Sequence, residues 1–332
     1  MRDHYLDTSK AVLIFLVVFG HFLERLVGWQ FETSGTLLSL IYLIHMPAFI
    51  FISGMLFKDQ NYFKNILFFL SLYLPFQLIY PLFEALLSGQ IRLNGFNLFE
   101  RPYWILWYLL GMMAWTFITH FLIKTQFPVW IALGLSLLIG FSPWNNYNYS
   151  IGRILVFLPF FVAGAVYGKA WITVIKQQRF LPLIGIGILF LILGLFIKID
   201  LSQYWFYGSL SYQQLKVEPW LGVGLRLLCI GLASLGIYAL LGVIKQLGNR
   251  WTALGTYTLP VYLLHGLVVM GVAHIMKIYA SALNLSPFNL ILLSLFLAIT
   301  TCAILQLKVF DQGLRLLSQW LMAPYLKLTS KR

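Results

Sequence analysis

The residues able to do chemistry in this chain lie inside or beside runs that are otherwise apolar. His21 sits late in the first run, and Glu24 follows three residues later, on the same face if the run is helical. Lys10 precedes His21 by three helical turns, so the two point the same way about 16 Å apart. An imidazole titrates near neutrality and can take or return a proton, and a carboxylate one turn away can orient it. Lys10 pairs at i, i+3 with Asp7 and sets a fixed cation at one end of the line. His45 lies in the second run, Trp107 and Tyr108 open the fourth, Arg153 the sixth and Arg226 the eighth, and His265 lies in the ninth.

A titratable side chain at membrane depth is costly and marks function by default. Each of these residues also has an ordinary reading. Lys10 alone can be a snorkelling anchor. Trp107 and Tyr108 suit an interfacial aromatic belt. The two arginines can be anchors, and His45 and His265 can be satisfied structural histidines. His21 resists that reading best, because Glu24 and Lys10 share its face.

The elements that hold these residues follow from composition. Hydrophobic residues make up 60% of the 332 and charged residues only 10%. A soluble domain carries about 25% charged residues, so this chain cannot cover a water-facing surface, whereas a lipid-facing surface can be apolar. A helix needs about 20 residues to cross the hydrocarbon. Ten candidate spans follow: 9–27, 37–57, 64–87, 104–123, 128–142, 150–168, 181–198, 220–243, 257–276 and 287–310. The expected fold is an all-α polytopic membrane protein, with residues 1–310 as one transmembrane domain and 311–332 as a short basic tail. The first run contains His21 and no small-residue cleavage site follows, so it reads as a retained helix.

The connections 88–103 and 199–219 are the longest, and the second carries Tyr204, Trp205, Phe206, Tyr207 and Tyr212 like an interfacial or re-entrant segment. The net charge of +13 does not point to nucleic acid here, because the basic residues fall in short connections. With alternating spans, fifteen of the 23 Lys and Arg fall on the side of the termini and eight on the other, which puts both termini in the cytoplasm. On that topology His21 and His45 lie about 10–12 Å below the outer face, on neighbouring antiparallel helices. Cys229 and Cys302 form no disulfide framework, and the scattered histidines imply no metal. Gly164 and Gly168 form a small-xxx-small packing pattern.

Several segments together resemble the membrane-bound acyltransferase-3 family, with the fucose O-acetylase-like branch nearest. Tyr5-Leu6-Asp7-Thr8-Ser9-Lys10 and Val17-Val18-Phe19-Gly20-His21 resemble its opening, in which a basic residue and a histidine are separated by ten residues. His45-Met46-Pro47-Ala48-Phe49 with Ser53-Gly54 resembles its second helix, and Leu106-Trp107-Tyr108-Leu109 its Trp-aromatic-Leu helix start. Arg153 with Phe157-Leu158-Pro159-Phe160-Phe161 and Leu259-Pro260-Val261-Tyr262-Leu263-Leu264-His265 resemble later elements, in the family's order. One departure is Lys10, where the family usually has arginine; the charge is kept and the bidentate fork lost.

The resemblance implies O-acyl transfer, usually of acetyl from cytoplasmic acetyl-CoA, to a hydroxyl of a cell-envelope glycan or lipid-linked sugar at a bacterial inner membrane. Lys10 and Asp7 would then meet the donor, and Trp107, Tyr108, Arg153 and His265 the acceptor. His21, with Glu24 and His45, would carry the chemistry. Two roles stay open for His21, general base and covalent acyl relay, and His45, Arg153 or Tyr108 could stabilise the oxyanion. The rival reading is a transporter or flippase for a lipid or glycan, which would predict two matching halves; no such repeat is evident. Acceptor identity, the acyl group and the oligomeric state are not legible.

Overall fold

A hydrophobic helix in lipid satisfies its own backbone, and this chain uses that solution throughout. The computed structural model describes residues 3–90, 100–144, 146–199, 201–248 and 251–329, with the backbone alone at 280–282 and 324–329. Most of the connection 88–103 lies outside the described residues, as do Arg2, Arg92, Arg250, Lys331 and Arg332, which entered the orientation count. The helices are α1 His4–Leu26, α2 Glu32–Met55, α3 Tyr62–Ser88, α4 Trp107–Leu122, α5 Pro128–Leu138, α6 Ile151–Gln177, α7 Leu181–Lys198, α8 Tyr204–Tyr207, α9 Pro219–Ile244, α10 Thr258–Leu283, α11 Pro287–Leu305 and α12 Lys308–Thr329. No strand occurs among the described residues. Nine of the helices there are long and apolar enough to cross a membrane, and the shorter apolar stretch Pro128–Phe141 stands where a tenth span was expected. The chain is an integral multi-pass membrane protein.

Several ends differ from the hydropathy reading. α1 begins at His4 rather than 9, because the Asp3 carboxylate caps it by accepting from the Tyr5 and Leu6 amides at 3.0 and 3.4 Å. α6 runs on to Gln177, well past 168, since a helix can continue into water once its apolar stretch ends. The last run is not one span to 310: α11 stops at Leu305, and α12 starts three residues later. The stretch read as a tail is therefore helical to Thr329. One stripe of α12, Asp311, Leu314, Ser318 and Met322, is buried, and Ser318 hydrogen-bonds Ser71 of α3 at 2.6 Å.

The outward faces are apolar. Leu82 and Leu86 of α3 and Leu183, Phe190 and Leu191 of α7 are 61–82% exposed, an arrangement that water would penalise and lipid does not. Inside, α1 is packed by α2, α10 and α11, and α2 lies along α6. That last pairing is backbone to backbone. A Cβ on Gly54 would sit 2.0 Å from the Phe161 carbonyl oxygen, and one on Gly164 would sit 2.0 Å from that of Phe51. Gly168 meets the Met55 side chain, so the small-xxx-small pattern is a packing seam. The chain passes back and forth between two faces. One gathers the start of α1 with the end of α9, where Tyr5 donates to the Leu241 carbonyl at 2.6 Å and Thr8 to that of Gly248 at 3.1 Å. We call it the Lys10 face, and the opposite one the Arg25 face.

The seam makes a stability prediction. Gly164→Ala should destabilise by about 1–3 kcal/mol, the usual cost of overpacking. Gly194→Ala has nothing within 4 Å to meet and should be neutral or gain up to about 1 kcal/mol of helix propensity. Thermal melts in one detergent check both; equal melting temperatures would remove the seam from the account.

Candidate active site

The site grows from α1, which carries His21 and Glu24 one turn apart. Gly28 (φ +86°) turns the chain after α1, and the Ser34 hydroxyl ties the turn by donating to the Gly28 carbonyl at 2.7 Å. The short connection makes α2 the antiparallel neighbour of α1, so Tyr42 and His45 come level with Glu24 and His21. Tyr42 is the central group. Its hydroxyl donates to Glu24 Oε2 at 2.5 Å and lies 3.2 Å from His21 Nδ1, while the direct His21–Glu24 separation is 3.6 Å. Tyr42 has a single hydroxyl proton, and it is donated in the hydrogen bond to Glu24. The contact to His21 therefore requires a hydrogen on Nδ1, which leaves the Nε2 lone pair free. Glu24 also accepts from the Tyr207 hydroxyl and from Trp29 Nε1 at 3.3 Å. Burial, and beyond it the Glu24 carboxylate, pushes the Tyr207 phenol well above its ordinary pKa, so it stays a donor.

A cavity of about 400 Å³ opens in front of this network on the Arg25 face. His21, Glu24, Tyr42, His45, Trp104, Trp107, Arg153 and Tyr207 are on its wall. His45 donates Nδ1–H to its own helix at the Ile41 carbonyl, 2.6 Å away. The Arg153 guanidinium lies over the Trp107, Tyr147 and Tyr207 rings at 5.2, 5.8 and 5.8 Å, and its buried Nε has no hydrogen-bond partner among the described residues. Trp104 closes the side, edge-on to His21 at 5.1 Å between ring centres.

A second cavity of about 360 Å³ opens from the Lys10 face. Lys10 is on its wall, held at 2.7 Å by Asp7, with Ser53, Tyr108 and Tyr262 deeper in. The two cavities stand back to back. α2 presents Met46 to one and Phe49 to the other, α6 Phe157 and Phe161, and α4 the adjacent Trp107 and Tyr108. On α2 and α6 the two residues are about one helical turn apart, a rise of roughly 5 Å.

The expected residues thus divide. His21, Glu24, His45, Trp107 and Arg153 share the first cavity. Lys10 stands at the second, with Asp7 buried beside it. Tyr108 also belongs to the second, where its hydroxyl meets Ser53 at 2.7 Å. His265 lines neither: it is fully buried behind His21, rings stacked at 5.4 Å, with Nδ1 on the Val261 and Tyr262 carbonyls and Nε2 without a partner among the described residues. Arg226 donates to the Ser136 and Leu210 carbonyls, both at 3.3 Å, which ties α9 to α5 and the 201–218 connection. Tyr42, Tyr207, Trp29 and Trp104 were not singled out from sequence as site residues. The one available signal was Tyr42, three residues before His45 and so on the same face.

Comparison with known proteins finds a family model described as an acyltransferase domain, which matches residues 3–307. No curated protein and no solved structure matches.

The Tyr42 bridge predicts the tautomer of His21. Nitrogen NMR of histidine-labelled protein, with the signal assigned by its loss in His21→Gln, should show neutral His21 protonated at Nδ1, and Tyr42→Phe should weaken that preference. A wild-type His21 protonated at Nε2 would contradict the hydrogen-bond order.

Proposed function

This chain belongs to the acyltransferase family whose model spans it, and from that premise we propose that it moves acetyl from acetyl-CoA on the Lys10 face to a hydroxyl of a cell-envelope glycan or lipid-linked sugar on the Arg25 face. The protein sits in a bacterial inner membrane with both termini and Lys10 cytoplasmic, as the basic residues favour. The observation that carries this reading is the pair of cavities on opposite faces, parted by a wall about one helical turn thick.

The steps follow from the groups present. The ammonium of Lys10 meets the phosphates of coenzyme A as a point charge, while Asp7 fixes its position. The pantetheine arm is thin and extended enough to lie along the Tyr108–Ser53 side of the wall. The acceptor hydroxyl enters from the opposite cavity. His21 Nε2 takes its proton as the oxygen attacks the thioester carbon. The C–S bond then breaks, the acyl–oxygen bond is complete, and the proton returns from His21 to the leaving thiolate. Glu24, through Tyr42, stabilises the imidazolium between those events. The guanidinium of Arg153, caged by three aromatic rings and open to the cavity, meets the oxyanion or the sugar oxygens. Of the two roles for His21 we take the base, because the Tyr42 bridge turns a free lone pair toward the acceptor side.

His21→Ala should keep its melting temperature and coenzyme A binding while turnover falls about 10²–10⁴-fold, roughly 3–5 kcal/mol of barrier. Lys10→Ala should instead raise the KM for acetyl-CoA, with Lys10→Arg restoring it. Near-normal turnover in folded His21→Ala protein would remove His21 from the chemistry. An acetyl-histidine adduct, trapped by mass spectrometry without acceptor, would make His21 a relay instead.

A further inference from the structure

A third cavity is larger than either of the two above. It is a cleft of about 660 Å³ on the Arg25 face, between the end of α3 and the end of α10, roofed by residues 101–104. At its base the two helices touch, where Tyr80 donates to the Leu263 carbonyl at 2.9 Å. Beyond that contact Pro81, Glu84 and Leu87 of α3 face Met270, Ala273 and Lys277 of α10 across the cleft. The walls carry three permanent cations, Arg25, Arg101 and Lys277, together with His274. The one carboxylate among its described lining residues, Glu84, is engaged by the Tyr103 hydroxyl at 2.5 Å. None of the three cations joins a salt bridge among the described residues.

The cleft is built rather than incidental. Gln77 clamps its roof from α3: its amide nitrogen donates to the Arg101 carbonyl at 2.7 Å, and its oxygen accepts from the Tyr103 amide at 2.9 Å. Tyr103 stacks on Tyr80. Trp104 completes the roof with a backbone φ of +33°, a conformation that costs a bulky residue energy and that the clamp sustains. The same Trp104 is a wall of the His21 cavity, and Arg25, 4.8 Å over its ring, borders both spaces. Tyr147 makes a second link, with Arg101 at 4.3 Å on the cleft side and Arg153 at 5.8 Å on the cavity side.

We propose that this cleft binds a phosphate-type oxyanion carried by the acyl acceptor, and so holds the acceptor's hydroxyl beside His21 across Trp104. The inference rests on the acyl-transfer reading and narrows its acceptor to an anionic molecule. Unpaired guanidinium and ammonium groups on a fixed frame recognise phosphate by charge-assisted hydrogen bonds. The volume admits a phosphate with an attached sugar. A cleft between two helix ends at a membrane face is also reached by a lipid headgroup, so the phosphate can arrive on a soluble glycan or on a lipid.

The test uses the full chain in detergent, with Arg101→Ala/Lys277→Ala and the milder Arg101→Gln and Lys277→Gln in case the double variant melts early. Glucose 1-phosphate against glucose, by calorimetry, probes the soluble source. Phosphatidylglycerol against phosphatidylcholine, by native mass spectrometry, probes the lipid source. The expected result is saturable binding of one phosphate-bearing probe but not of its neutral or zwitterionic counterpart, weakened about 10–100-fold by loss of the cations. Which probe binds names the source. No preference for either anionic probe, or a preference that survives in all three variants, overturns the proposal. Coenzyme A binding is read in parallel. Its retention in these variants shows that a failure concerns the cleft alone, whereas its absence from the wild-type protein is a failure of the acyl-transfer reading itself.

Discussion

A carboxylate inside an apolar bundle survives only if its oxygens are fully hydrogen-bonded. Glu24 meets that condition by drawing one donor from each of three separate elements: Tyr42 from α2, Tyr207 from α8 and Trp29 from the connection between α1 and α2. Truncating any one of them leaves part of the demand unmet, so the three elements are held in register on α1. The same demand orients the hydroxyl of Tyr42, which in turn orients His21. The chemistry proposed for His21 thus descends from the need to keep one half-buried carboxylate paired. The aromatic rings around Arg153 answer the complementary need, since a guanidinium stacks on ring faces where carboxylates are scarce.

The second constraint is separation. The proposed transfer between opposite faces requires an acyl group to cross without opening a path for ions. Here the barrier is side chains from α2, α4 and α6, and it is held close by the backbone contact of Gly54 and Gly164. Because α2 and α6 cannot slide apart without losing that seam, the wall stays about one turn thick. Tyr262, on the wall of the Lys10 cavity, adds a further tie by donating at 2.5 Å to the carbonyl of Ile105, on the wall of the His21 cavity.

Much of α1 was legible in the sequence, because a helix of fixed pitch places Lys10, His21 and Glu24 on one face from spacing alone. The helical membrane architecture was legible from hydropathy. Helix ends were not, because hydropathy marks the hydrocarbon and not the capped polar turns beyond it, such as Asp3 at the head of α1. Arg153 and Arg226 look alike in sequence, each near the start of a long apolar helix. Only the fold shows that Arg226 is consumed by two carbonyls while Arg153 faces a cavity. Trp107 and Tyr108 are neighbours in the chain, yet about 100° apart around the helix, so the bundle sends them to opposite cavities. Tyr207 lay in a stretch rich in aromatics, where nothing in the sequence distinguishes the one that turns in to Glu24.

In the proposed reaction one donor molecule entering at Lys10 reaches across the wall to His21. A cryo-EM structure in lipid nanodiscs, with a non-hydrolysable thioether analogue of acetyl-CoA, tests it most directly. The expected result is nucleotide density at Lys10, a pantetheine arm running past Ser53 and Tyr108, and the acyl end next to His21 Nε2. Nucleotide density on the Arg25 face, or an acyl end that stops short of the wall formed by Phe49, Tyr108 and Phe161, would contradict it.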